Sequence, residues 1–263
     1  YTSEPGFRIT CLPARHFSGR FLRQNPSLWA SFMLEGHSTV YIGGDSGYGA
    51  HFSEIGKRFP HIDLAIVGEP TGMNPAVAEK GLMVLDVIAH GKSGHAARNE
   101  GVNAIYEALD DMRWIRDYKF EKVSEFLGPT KMTLTVVNAG TQHNVIPDKC
   151  TMLVDIRTNE FYDNEEVYKF ICQHLKSEVK AHSFRLKSSR IDPAHPLIRK
   201  CVAMDMKPFG SPTLSDQALM HFPSFKLGPG ESSRSHSADE FIKISEISDA
   251  VAKYRKLLDG ASI

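Results

Sequence analysis

Four side chains of metal-ligating type frame this chain. Glu69, in Val67-Gly68-Glu69-Pro70-Thr71, and His236, in Ser235-His236-Ser237, offer a carboxylate and an imidazole. His16, in Ala14-Arg15-His16-Phe17, and Asp45, in Gly43-Gly44-Asp45-Ser46-Gly47, offer a second such pair. Donors of this kind suit zinc, and a catalytic zinc takes about three protein ligands plus one open position. The two pairs meet at Asp63-Leu64-Ala65-Ile66, so one working site requires both sides of that stretch to converge. Each residue also has an ordinary role open to it: Glu69 as a solvated loop carboxylate, His236 as a surface imidazole, His16 bonded to a backbone carbonyl and Asp45 capping a turn.

The elements that must position these residues can be read from periodicity. Short β-like pieces over 7–12, 28–34 and 39–42 make a β-rich opening, and 48–59 reads as a helix with Phe52, Ile55 and Phe59 on one face. Residues 62–67 form a continuous apolar strand of the buried kind, which places Glu69 on the loop at its carboxyl end, where α/β sheets hold ligands. A strand over 82–89, a helix over 102–114, strands over 132–137 and 150–156, a helix over 165–179 and a strand over 183–187 follow the ferredoxin-like β-α-β-β-α-β order. Helices over 197–204 and 244–258 flank an apolar stretch over 222–227, and Gly228-Pro229-Gly230 forces a loop before His236. The fold class expected is therefore α/β. A mixed-sheet domain is built from 67–81 and 191–263, a ferredoxin-like lid over 82–190 is inserted into it, and a β-rich segment over 1–66 precedes it.

Composition removes several function classes. Of 263 residues, 41% are hydrophobic, enough for a full core, and Lys+Arg and Asp+Glu both number 31. With no net field there is nothing to hold a nucleic acid or an anionic membrane, so neither is expected as a partner. Cys11, Cys150, Cys172 and Cys201 are widely spaced, with no Cys-x-x-Cys, and read as reduced thiols. No apolar run reaches the roughly 18 residues of a transmembrane helix and the opening does not look like a signal peptide, which makes a cytoplasmic location the expectation. The chain opens on Tyr1 rather than Met, which leaves room for an upstream portion.

From Asp63 onward a series of motifs appears in order: Val67 to Thr71, Ala78-Glu79-Lys80-Gly81, Gly91-Lys92-Ser93-Gly94-His95, Gly140-Thr141-Gln142-His143-Asn144, Val154-Asp155-Ile156-Arg157, Thr213-Leu214-Ser215-Asp216, and Gly228 to Phe241. In these the chain resembles the acetylornithine deacetylase and succinyl-diaminopimelate desuccinylase family of zinc amidohydrolases. The resemblance implies a zinc-dependent amide hydrolase, with cobalt as a substitute metal, acting in amino-acid metabolism on a small N-acyl amino acid as a homodimer joined through the lid. It further implies that Glu69 binds one metal and His236 the other, and that His95 and Asn144 serve the substrate carbonyl, where they would stabilise a developing oxyanion. Arg157 would clamp the substrate carboxylate, a task suited to a bidentate guanidinium, and Lys80 and Ser215 would contact substrate.

The chain departs from that family upstream. The family's His-x-Asp motif, bridging aspartate and Glu-Glu pair, which carry the general base, have no match ahead of Asp63. His61-Ile62-Asp63 has the spelling but runs straight into the strand leading to Glu69, and Glu165-Glu166 opens a lid helix, where carboxylates favour the helix dipole without any metal. Residues 1–66 instead resemble the latter part of a metallo-β-lactamase-fold hydrolase. That likeness lies in Leu12 to Arg20, Leu28-Trp29-Ala30-Ser31-Phe32 and Tyr41 to Tyr48, and it implies a metal role for His16 and Asp45. Three functions are thus expected in order: a deacetylase-type hydrolase that lacks its usual base, a non-catalytic recombined α/β protein with a dimerisation module, and a β-lactamase-fold fragment.

Overall fold

The computed structural model describes residues 6–15, 29–44, 46, 49–98, 100–235, 237 and 240–261. They fall into two compact units, one formed by Tyr1–Glu79 with Ser189–Ile263 and the other by Lys80–Ser188.

The first unit opens with an antiparallel meander, in which β1 (Arg8–Pro13) pairs with β2 (Ala30–Glu35) and β2 with β3 (Thr39–Gly43). Alternation sets which face is covered: Met33 and Leu12 point inward while Phe32 and Ile9 remain exposed. Helix α1 (Ala50–Arg58) returns the chain so that β4 (Leu64–Val67) lies parallel to β3, Val40 opposite Leu64 and Ile42 opposite Ile66. All four β4 residues are buried, as a parallel strand covered on both faces requires. Ile55 and Phe59 of the α1 segment pack with Leu12, Met33, Tyr41 and Ala65. Strand β5 (Ala76–Glu79), also fully buried, ends this first passage through the unit.

The second unit is the inserted ferredoxin-like layer. Its strands β6 (Met83–His90), β10 (Lys131–Ala139), β12 (Lys149–Arg157) and β13 (Glu178–Ala181) stand in the order β10-β12-β6-β13, all antiparallel. Short ladders fill the connections: β7 (Gly94–His95) with β11 (Val145–Ile146), and β8 (Val123–Ser124) with β9 (Gly128–Pro129). Helices α2 (Ala104–Asp117) and α3 (Asn164–His174) cover one face. Their N-termini are capped by Asn103 and Asp163, each of which accepts from the N–H two residues on. Leu85, Val87, Met152, Val154, Ala108 and Ile171 belong to one core inside this unit.

Two expectations are corrected here. The second lid helix stops at His174 rather than running to 179, and the last strand is Glu178–Ala181 rather than 183–187. The cause is distant in sequence: the buried Asp111 of α2 accepts from the N–H groups of Lys176 (3.1 Å) and Ser177 (2.9 Å), so the chain turns there and pairs with β6 at once.

The chain then returns to the first unit with β14 (Ser189–Arg190), α4 (Pro196–Ala203), β15 (Phe209–Ser211), β16 (Ser224–Lys226) and α5 (Ile244–Leu258). Strand β16 inserts between β4 and β5, parallel to β4, which gives the order β1-β2-β3-β4-β16-β5-β14 with β15 beside β5. The mixed α/β sheet expected from the sequence is present, and β4 stands inside it between an upstream and a downstream strand.

Candidate functional site

Parallel strands β3, β4 and β16 end together, and the loops at their carboxyl ends lock onto one another. Gly68 N–H donates to Gly43 O (2.8 Å), Leu227 N–H to Val67 O (2.9 Å) and Thr71 N–H to Gly228 O (3.2 Å). The Thr71 hydroxyl sits against Gly228, which is the point of closest approach: a Cβ there would collide with the carbonyl oxygen of Glu69 and lie 2.9 Å from the carbonyl carbon of Gly68. Gly72 and Gly230 hold positive φ of 60° and 83°, and Gly72 N–H bonds Gly230 O at 2.7 Å. Glu69 is thus fixed, half-buried, at the crevice where α/β sheets place ligands.

Beneath that crevice lies a feature that periodicity did not reveal. Lys226 of β16 and Glu79 of β5, with side chains 3% and 1% exposed, form an ion pair at 2.9 Å. Ser215 donates to the same Glu79 oxygen (2.7 Å), while the Lys226 ammonium donates to Ser211 Oγ (3.1 Å) and Thr213 O (2.9 Å). Ser215, expected to contact substrate, therefore holds a buried carboxylate and caps the short 3-10 turn Asp216–Leu219. In the sequence each reads only as a polar residue ending a short stretch, Ala76-Val77-Ala78-Glu79 and Ser224-Phe225-Lys226, with nothing to join the two.

Of the four metal donors expected, Glu69 alone falls among the described residues; His16, Asp45 and His236 lie outside them. Among the described residues, no three His, Cys, Asp or Glu side chains are grouped so as to hold a metal ion. All four cysteines are free, and burial pushes the Cys201 thiol up to about 11, which keeps that one protonated.

In the second unit the structure brings His95 and Asn144 together. His95 pairs with Val145 across the β7/β11 ladder, and Asn144 O accepts from Ala96 N–H at 3.0 Å. The exposed His95 ring takes the Ala97 N–H on Nδ1 (3.2 Å), which leaves Nε2 as the outward nitrogen. Arg157 forms a two-pronged pair with Asp155, Nε to Oδ1 at 2.8 Å and Nη2 to Oδ2 at 3.0 Å. Lys80, 6% exposed, donates to Pro129 O at 2.9 Å; burial first, then the charges of Lys131 and Arg157, lowers its pKa. Both cations expected to hold substrate thus have partners within their own unit.

At the start of the chain, Ser46 and His51 tie α1 to the end of β1. Ser46 Oγ lies 3.1 Å from His51 Nε2, accepts from Arg15 N–H (3.0 Å) and donates to Arg15 O (3.3 Å). The hydroxyl is fully used by these contacts, which is the behaviour of a structural clasp rather than an attacking serine.

Two family models match overlapping parts of the chain. Residues 77–183 match the peptidase dimerisation domain family, and residues 2–113 match the β-lactamase superfamily domain. The outer membrane protein RomA of Klebsiella pneumoniae is 56% identical over 60 residues, covering 22% of this chain and 46% of its own. The succinyl-diaminopimelate desuccinylase of Wolbachia pipientis from Culex pipiens is 26% identical over 216 residues, 75% of this chain and 54% of its own. Among solved structures, the aminopeptidase PepT of Bacillus cereus superposes with a TM-score of 0.59 at 15% identity, over 75% of this chain and 57% of its own. The YxeP protein of Bacillus subtilis, described as a dinuclear metal-binding peptidase of the M20 family, superposes at 0.57 with 16% identity, over 80% and 60%. The chain spans about half the length of the relatives it matches. Among the described residues no helix is long and apolar enough to cross a membrane.

Proposed function

We propose, from the likeness of residues 77–183 to the peptidase dimerisation domain family and of residues 2–113 to the β-lactamase superfamily domain, that this chain acts as a homodimerising protein without amide-hydrolase activity of its own. The lid carries the reading. It has a complete core within its own boundaries, and its edge strand β10 is open along its outer side, with Val136 and Val137 39% and 46% exposed. A long, exposed apolar edge is a template for a second copy. The absence of a motif match ahead of Asp63 for the hydrolase family's base supports this reading, and residues 2–113 resemble the β-lactamase superfamily domain instead. Arg157 and Lys80 agree with this, since each is held by a partner of its own unit.

A second reading rests on the placement of Glu69 at the sheet crevice: a metal-dependent amide hydrolase in which Glu69, His236, His16 and Asp45 bind zinc and the substrate is an N-acetyl or N-succinyl amino acid. One experiment separates the two. The full chain, loaded with zinc and then with cobalt, is assayed on N-acetylornithine and N-succinyl-diaminopimelate while its mass is measured by light scattering. A dimer with no turnover supports the first reading, provided that Val137→Lys on β10 yields monomers. Turnover that is lost in Glu69→Ala overturns it in favour of the second, and a wild-type monomer removes the dimer claim.

A further inference from the structure

The turn that carries the chain from β4 to β5 forms one side of a surface cavity of about 370 Å³ in the first unit. Pro70 and Asn74 line it from that turn, Lys207, Pro208 and Phe209 from the start of β15, and Glu231 from the turn after β16. Backbone bonds fix these pieces: Met73 N–H donates to Gly228 O (3.0 Å), Phe209 N–H to Pro75 O (3.0 Å), and Lys207 N–H to Asn74 Oδ1 (2.8 Å). Met73, at φ 58°, and Asp205, at φ 61°, are the two non-glycine residues of positive φ among the described residues, and each stands within two residues of the lining. Left-handed backbone at ordinary residues persists only where its surroundings over-determine it, and it gathers at ligand clamps. Two charges of opposite sign flank this turn. Glu231 Oε1 lies 3.0 Å from where a Cβ on Gly72 would stand, and the Lys207 backbone is bonded to Asn74, so the anchors of the two charges are at most about 7 Å apart. Among the described residues neither the Lys207 ammonium nor the Glu231 carboxylate closes an ion pair. Arg234 feels Glu231 through its charge but gives its short contacts, 2.8 and 2.9 Å, to Glu246.

We propose that this cavity binds a free aromatic α-amino acid, with its ammonium on Glu231, its carboxylate on Lys207 and its ring against Pro208 and Phe209. A ligand with both charges on one α-carbon answers two cavity charges held on one short turn, whereas an amine or an acid alone leaves one of them without a counter-charge. The Asn74 side chain has its oxygen committed to Lys207 N–H, so its amino group is the end that donates to the ligand carboxylate. Pro70, Pro208 and Phe209 are half-buried and give the ring an apolar wall, and the volume is near the lower end for ligand sites, enough for one such molecule. An N-acyl amino acid lacks the ammonium and is a poor fit. The site is therefore distinct from the hydrolase reading, and it needs neither a metal nor the lid.

The full chain is titrated by calorimetry with L-phenylalanine, N-acetyl-L-phenylalanine, 2-phenylethylamine and 3-phenylpropionate. L-phenylalanine should bind saturably and at least about tenfold tighter than each of the other three, since each of those lacks one of the two charges. Glu231→Gln should weaken L-phenylalanine at least about tenfold and leave 3-phenylpropionate no weaker, while Lys207→Gln should weaken L-phenylalanine equally and leave 2-phenylethylamine no weaker. This split assigns each charge to one end of the ligand, which a general loosening of the turn would not do. Both side chains are exposed, so the thermal unfolding of each variant should match that of the wild type, and if one variant fails to fold the other carries the test. Four results overturn the proposal: an analogue that binds as tightly as L-phenylalanine, L-phenylalanine binding untouched by both substitutions, variants that weaken all four probes alike, or no saturation by L-phenylalanine.

Discussion

Replacing Lys226 by Met tests whether the ion pair with Glu79 organises the first unit. The ammonium and carboxylate are 2.9 Å apart with side chains almost wholly removed from water, so Met fills much of the volume and strands the carboxylate. Ser215 still donates to it at 2.7 Å, but no ammonium remains beside it in the pair's place. Removing one member of a buried pair costs about 3 to 5 kcal/mol, because the charge left behind keeps its desolvation penalty without its counter-ion. For a protein of this size that corresponds to a fall in Tm of roughly 6 to 20 °C. The double variant Lys226→Met with Glu79→Leu removes both charges and should regain most of the loss, since apolar replacements of such pairs are often neutral or stabilising. Urea unfolding followed by far-ultraviolet circular dichroism measures all three proteins under the same conditions. A single variant that loses less than about 1 kcal/mol, or a double variant no better than the single, would refute the reasoning by showing that the charges are not coupled.

Three further outcomes follow from geometry already described. Gly228→Ala places a methyl group against the Glu69 carbonyl and should cost about 2 kcal/mol or more, read as a lower urea midpoint; an unchanged midpoint would mean that the crevice loops are free to part. Asp111→Ala leaves the Lys176 and Ser177 N–H groups without their acceptor and should cost about 1 to 3 kcal/mol, with hydrogen exchange accelerated at those two amides. His51 has its pKa lowered by burial first and then by Arg15, so its neutral form is the folded one. Stability from this group is complete above the unfolded value of 6.5 and declines as pH falls below it, levelling off once the folded value is passed. His51→Gln should flatten that part of the pH profile of Tm, and an identical profile would dismiss the group as its source.

Much of the architecture was legible in local pattern, and what escaped it depended on partners distant in the chain. Leu64–Val67 could be read as a buried parallel strand because four successive apolar residues fit no half-exposed element, and β4 is such a strand. The order of lid elements was equally clear, since each carries its own period. The end of α3 was not: nothing local stops a helix at His174, and the stop comes from Asp111 on another helix. The pair formed by Glu79 and Lys226 was invisible for the same reason, with each residue reading as the polar end of an apolar strand until β16 enters between β4 and β5. At the site, the strand reading put Glu69 on the loop after β4, whereas the neighbourhood of His95 and Asn144 comes only with the β7/β11 ladder, and the fork between Arg157 and Asp155 is a short-range bond that the spacing of the two residues on one strand allowed.

The position of β4 bears on how such a chain could arise at all. Its neighbours β3 and β16 pair with it in parallel registers, Val40 opposite Leu64 and Tyr41 opposite Ala65 on one side, Ser224 opposite Ala65 and Phe225 opposite Ile66 on the other. A splice within it leaves hydrogen-bond parity and core volume intact, whereas a splice in an amphipathic helix or an edge strand would have to match a facing surface as well. Buried parallel strands are thus natural crossover points, at which two genes can exchange halves of a sheet and still yield one core.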